Sequence, residues 1–264
     1  MDRARPSLLQ ALPLGTRANV AISVLVLIVA TDLAAVVVDF QSISVAERLV
    51  DGERVAIGEA RDIDDRLVTV GLIQFAGLVL AAITFLIWWS RAYKNAIAMG
   101  IPHPRYTTGW AVGWWFVPFA NLVIPKNVAN DIYRGSDPDM PYRDPGWRQR
   151  PVSPLLHWWW GLWILSTIVD RIAAPDDLNP NTAEDFLTLM RVSLVADLVE
   201  IIAAGLAIGV VLKITRRSEE RRRRFPDGIP GGIPPAPPPP PAQRNLPVSP
   251  PPPPPASRSQ PPPL

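Results

Sequence analysis

Cysteine is absent from the 264 residues, and histidine occurs only as His103 and His157. The first absence excludes disulfides, thiolate metal ligands and cysteine nucleophiles, and the second leaves too little imidazole for a histidine-rich metal site. No phosphate-cradling glycine loop is present, and no Ser-His-Asp arrangement can be assembled. Asp62, Asp64 and Asp65 lack the spacing and the glycine of a calcium-binding EF-hand loop. The expectation is therefore a non-enzymatic chain without a cofactor. Lysine is scarce, limited to Lys94, Lys126 and Lys213, while arginine, alanine, valine and proline abound in the manner of a GC-rich bacterial genome. The net charge of +2 is small, its placement matters more than its size, and no nucleic-acid partner is expected although the Arg221–Arg224 run could attract anionic lipid or nucleic acid.

What the chain has instead is long apolar runs with the charges gathered between them. Four runs reach bilayer length, at about 18–38, 67–89, 155–174 and 192–212. Each holds about 20 residues, enough at about 1.5 Å per residue to cross about 30 Å of hydrocarbon as a helix. The reading is an all-α integral membrane protein with about four transmembrane helices. Residues 1–17 form an N-terminal segment and 18–213 the membrane domain, with an acidic outer loop at 41–66. Residues 214–264 form a tail, first basic and then proline-rich and disordered. A fifth apolar stretch, 109–125, carries Pro118, Asn121 and Pro125. Its prolines break a regular helix, so it reads as a re-entrant or interfacial element. Asp32 interrupts the first run and no small-residue cleavage site follows it, which favours an uncleaved signal-anchor over a signal peptide.

Charge placement orients the spans. Arg3, Arg5 and Arg17 precede the first, and Arg91 to Arg150 supply a basic region after the second. Lys213, Arg216, Arg217 and the Arg221–Arg224 run follow the fourth. The two remaining loops are acidic, one from Glu47 to Asp65 and the other around Asp176, Asp177, Glu184 and Asp185. Positive residues stay cytoplasmic, so four spans leave both ends inside a bacterial inner membrane. A fifth crossing at 109–125 would put Arg221–Arg224 outside. Trp88, Trp89, Trp110, Trp114, Trp115 and Trp158–Trp160 then fall near the cytoplasmic headgroups, the level this residue prefers. His157 beside them reads as an anchor, and the arginine run as a membrane stop signal. Ser44-Val45-Ala46-Glu47 has the pattern of a capping box, and a helix is expected to continue the first hairpin beyond the membrane.

Ionisable groups within spans are costly and point to function. Asp32 lies in the first span; Asp197 and Glu200, spaced i, i+3 on one face with Ser193, lie in the fourth. If those helices pack, the three carboxylates meet, and they would hold a proton or a cation because they cannot all be ionised in a low dielectric. The alternative is that each pairs with Arg191 or Arg171, bonds the backbone or faces a water-filled vestibule. Thr31-Asp32-Leu33-Ala34-Ala35 also echoes Val169-Asp170-Arg171-Ile172-Ala173-Ala174, a short hint of duplicated helical hairpins.

A further pattern comprises Trp88-Trp89-Ser90-Arg91-Ala92-Tyr93-Lys94-Asn95, Gly109-Trp110 through Trp115-Phe116-Val117-Pro118-Phe119-Ala120-Asn121-Leu122, Pro125, and Asp131-Ile132-Tyr133-Arg134-Gly135. It resembles the bacterial membrane-protein family known as domain of unknown function 4328, over roughly residues 18–213. The resemblance implies a multi-span membrane domain and no particular activity. It directs attention to Arg91, Asn95, Trp115, Pro118, Asn121, Pro125 and Asp131 as a site-forming element, the alternative being that Asn121 only satisfies the broken backbone.

From about Pro226 nearly every second residue is proline, with runs at 237–241 and 250–255. Such a tail forms polyproline II and builds no core. It serves either as a ligand for an aromatic-lined groove or as a spacer. The leading functional expectation is thus a membrane scaffold or signalling component whose tail meets a cytoplasmic partner. The other is a small-solute, proton or cation pathway through Asp32, Asp197 and Glu200, which with so few spans would call for a homo-oligomer.

Overall fold

The computed structural model describes residues 11–173 and 182–224. The proline-rich tail, the first ten residues and the acidic stretch at Asp176 and Asp177 lie outside them. The described residues contain six α-helices and no strand: α1 (Gly15–Val50), α2 (Ile57–Ala98), α3 (Trp110–Gly113), α4 (Ile124–Gly135), α5 (Pro154–Ala173) and α6 (Ala183–Arg224). Three of them, α1, α2 and α6, are long and apolar enough to cross a membrane. Helix α5, 20 residues long, has the length but is not one of these three.

Helix α6 packs on α1 and on α5, and α1 on α2. The partners run antiparallel. Leu14 N–H donates to Glu219 at one end of the α1–α6 pair, and Arg191 Nη2 donates to Glu47 at 2.9 Å at the other. Small side chains make the close approach possible: Ala18, Ala21, Ala35 and Ala46 on α1, and Ala196, Ala204 and Ala207 on α6, are buried. The outer surface of α2 is the reverse. Leu72, Phe75, Leu78, Ile83 and Ile87 are all exposed, an apolar exterior suited to hydrocarbon and not to water.

The acidic loop expected at 41–66 is mostly helix. Helix α1 runs through Ser44 and Glu47 to Val50, so these residues do not cap a new helix; the turn between α1 and α2 is only 51–56. Gly52, with φ 78°, closes α1: its N–H bonds Leu49 C=O and that of Glu53 bonds Arg48 C=O. This is a Schellman closure, which wants a residue free to adopt positive φ. Gly100 closes α2 in the same way at φ 96°, and there a Cβ would collide with the Tyr142 ring.

Between α2 and α5 the chain forms a cap. Residues 109–125 are broken as the prolines dictate, into α3, two 3₁₀ turns at Trp114–Phe116 and Ala120–Leu122, and the start of α4 with Pro125 in its first turn. Indole donors supply what the broken backbone lacks: Trp89 Nε1 bonds Ala111 C=O at 2.9 Å and Trp160 Nε1 bonds Leu122 C=O at 3.1 Å. Phe116 and the positive-φ Phe119, 85% exposed, project from it.

Four of the eight tryptophans expected at headgroup level are packed into the protein core. Trp88 and Trp89 are fully buried and Trp159 and Trp160 nearly so, joined through Phe85, Trp115 and Trp163 in one aromatic cluster. The cap supplies the cover that makes this possible. Only Trp110 and Trp158 keep the exposure of an interfacial belt.

Candidate functional site

Asp32 on α1 and Asp197 and Glu200 on α6 come together: one carboxylate oxygen from each lies within 4.8 Å of the others. Gln74 of α2 ties the group to a third helix, its Nε2 donating to Asp32 Oδ1 at 3.2 Å and to Asp197 Oδ1 at 2.9 Å. Asp39, two turns beyond Asp32 on the same face of α1, sits against Asp197 and Ser193. Asp32 and Asp39 are 1% and 2% exposed, and the Oδ2 atom of each has no hydrogen-bond partner. A buried carboxylate oxygen without a donor is costly unless a proton or a cation occupies it. All the donor atoms are oxygens, the set suited to hard cations and not to zinc or copper.

Gln74 and Asp39 were not among the expected residues. Gln74 is uncharged, so nothing in an apolar run marks it out. Asp39 follows the first run and reads as its polar end, although its i, i+7 spacing from Asp32 was visible. Arg191, one proposed partner of the carboxylates, is occupied by Glu47. The side chain of Arg171, the other, lies outside the described residues.

The residues of the cap element do different jobs. Asn95, 1% exposed, grips the Leu12 backbone at both ends, accepting from its N–H at 3.1 Å and donating to its C=O at 2.7 Å. Trp115 belongs to the aromatic cluster, Pro125 is buried in the first turn of α4, Pro118 is exposed, and Arg91 and Asn121 are half-buried. Asp131 is fully buried with neither oxygen hydrogen-bonded; Arg105 Nε approaches Oδ2 at 3.6 Å. Burial pushes its carboxyl up to about 6, against the opposing pull of Arg105, Arg134 and Arg148.

A carboxyl raised in this way holds its proton in the fold at a pH where the unfolded chain has lost it. Stability therefore falls as the pH rises from about 4 to about 6, and above that a penalty on the order of 3 kcal/mol is fully present. Asp131→Asn is expected to raise the melting temperature near pH 7 and to leave it unchanged near pH 4. A variant less stable than the parent at neutral pH would show that the Arg105 pair outweighs burial.

An all-helical chain with bilayer-length apolar helices, a proline-broken cap and carboxylates buried between helices belongs among membrane proteins. Residues 51–216 match the family described as Domain of unknown function (DUF4328), and the chain is a member of it. The match begins after α1, not at residue 18, so Gln74, Asp197 and Glu200 lie within it and Asp32 and Asp39 outside. No curated protein and no solved structure matches the chain.

Proposed function

We propose that this is a four-span membrane protein, with both ends in the cytoplasm, that takes up a proton or a hard cation at the carboxylate cluster between α1, α2 and α6. The observation that carries the reading is the convergence of Asp32, Asp197 and Glu200, with Gln74 bridging Asp32 and Asp197, Asp39 beside Asp197, and unpartnered, buried oxygens on Asp32 and Asp39. A cation entering the cluster releases any protons held there, which couples the two species. A proton or cation gradient is accordingly expected to elicit a response in proteoliposomes of the wild-type protein. Asp197→Asn removes that response; a variant indistinguishable from the parent would refute the reading.

The four-span arrangement rests on charge placement and on α5, whose 20 residues have spanning length. It leaves the cap and the Arg221 end of α6 on the cytoplasmic side and the α1–α2 turn outside. Since the chain has no cysteine, single substitutions report topology directly. Ser44→Cys and Asn179→Cys are expected to react with an impermeant thiol reagent in intact cells, and Asn130→Cys to stay unlabelled. Labelling at Asn130 would overturn the arrangement.

A further inference from the structure

The cap holds a cavity of about 660 Å³ whose wall includes His103, Tyr142, Arg143, Trp147, Arg148 and Gln149. It is remote in chain position and chemistry from the carboxylate cluster, and a ligand bound in it would be independent of that site. His103 and Arg143 carry two of the three positive-φ non-glycine backbones among the described residues, at 48° and 55°. Left-handed strain at non-glycine residues collects where a wall must present a side chain in one direction.

The two arginines are held in place. Arg148 Nη2 donates to His103 C=O at 2.7 Å, with its guanidinium 5.2 Å above the Trp147 ring. Arg143 donates its backbone N–H to Gly100 C=O at 3.0 Å and rests its guanidinium 5.9 Å above Tyr142. The neighbouring acids are already engaged: Arg150 takes Asp144 at 3.1 Å and Asp137 at 2.8 Å, and Arg217 takes Asp137 at 3.2 Å. Among the described residues neither Arg143 nor Arg148 makes an ion pair, and both are exposed. Two guanidinium groups without an ion pair at one cavity suit an oxyanion, phosphate above all. The volume falls within the small-molecule range of about 300–1,000 Å³ and exceeds what inorganic phosphate fills.

We propose that this cavity binds a soluble phosphorylated small molecule through Arg143 and Arg148. A phosphate can also come from a lipid headgroup, but position favours the soluble source. Gly100 lies 11 positions past Trp89, where the apolar run of α2 ends. The nine of these that are helical, up to Ala98, span about 13 Å along the axis, while a headgroup layer is only about 5–8 Å thick.

The test uses the full chain in phosphatidylcholine nanodiscs, with ATP and inorganic pyrophosphate as calorimetric probes. Both probes are expected to bind, and Arg143→Asn combined with Arg148→Gln to weaken binding about tenfold or more. Asparagine tolerates the left-handed backbone at 143, and an unchanged melting temperature verifies the fold. Arg148→Glu alone, which leaves that backbone untouched, is expected to give the same loss. Phosphatidylglycerol in the nanodisc should leave ATP binding unchanged. Absence of binding, binding indifferent to the arginine variants, or displacement of ATP by phosphatidylglycerol would each overturn the proposal, the last by assigning the cavity to a headgroup.

Discussion

Arg221→Ala is expected to destabilise the protein by about 2–4 kcal/mol, from two buried carbonyls left without a donor and the cavity beside them. Arg221 is 1% exposed although it opens a run of four arginines. Its Nη1 donates to Asp137 C=O at 2.6 Å and its Nη2 to Met99 C=O at 2.9 Å, so the end of α6 is fastened to the end of α2 and to the loop after α4. Burial pulls its guanidinium down to about 10, leaving it charged at neutral pH. Alanine would remove the charge, strand two carbonyl groups and open a cavity. Arg223, exposed two positions on, is the control, and Arg223→Ala should change stability by no more than about 0.5 kcal/mol. Thermal melts of the purified protein in detergent compare the two, and equal effects would mean that the arginine run acts only as a surface charge.

The second large effect concerns Gln74. One amide nitrogen bridges Asp32 and Asp197, and with them three helices. Gln74→Leu fills similar space in a position that already borders lipid-facing residues, so the bundle should persist. The two carboxylates lose their shared donor, and the proton or cation response in proteoliposomes should disappear as completely as in Asp197→Asn. Gln74→Glu adds a further acid to the cluster, so it is expected to retain a response shifted to lower cation concentration and higher pH. A Gln74→Leu protein with the full parental response would show that the cluster works without its bridge, or does not work at all.

The long helices were legible because lipid demands a continuous apolar run with an internally satisfied backbone, and both requirements are written in local sequence. The break at 109–125 was legible for the opposite reason, since Pro118 and Pro125 cannot continue a helix. Tertiary cover was not. Trp88 and Trp89 suit a headgroup layer and a packed core equally well, and what decides is the cap that folds over them. The four arginines of the basic run look alike in sequence, yet Arg221 is buried, Arg222 pairs with Glu219, and Arg224 pairs with Asp139 and Glu220. In the carboxylate cluster, spacing placed Asp197 and Glu200 on one face, and the antiparallel packing of α1 and α6 brought Asp32 to them. Gln74 escaped notice because its role exists only once α2 is docked.

The most direct test of the central claim is carboxyl-stretch infrared difference spectroscopy on the membrane-reconstituted protein, titrated with a hard cation such as calcium, magnesium or sodium and separately with acid. Isotope-edited spectra of the wild type are predicted to show a protonated-carboxyl band that is lost on adding an effective cation or base and is altered in Asp32→Asn, Asp39→Asn and Asp197→Asn. Wild-type spectra unaffected by cation and pH, or changes identical in all three variants, would contradict a proton- or cation-binding role for the cluster.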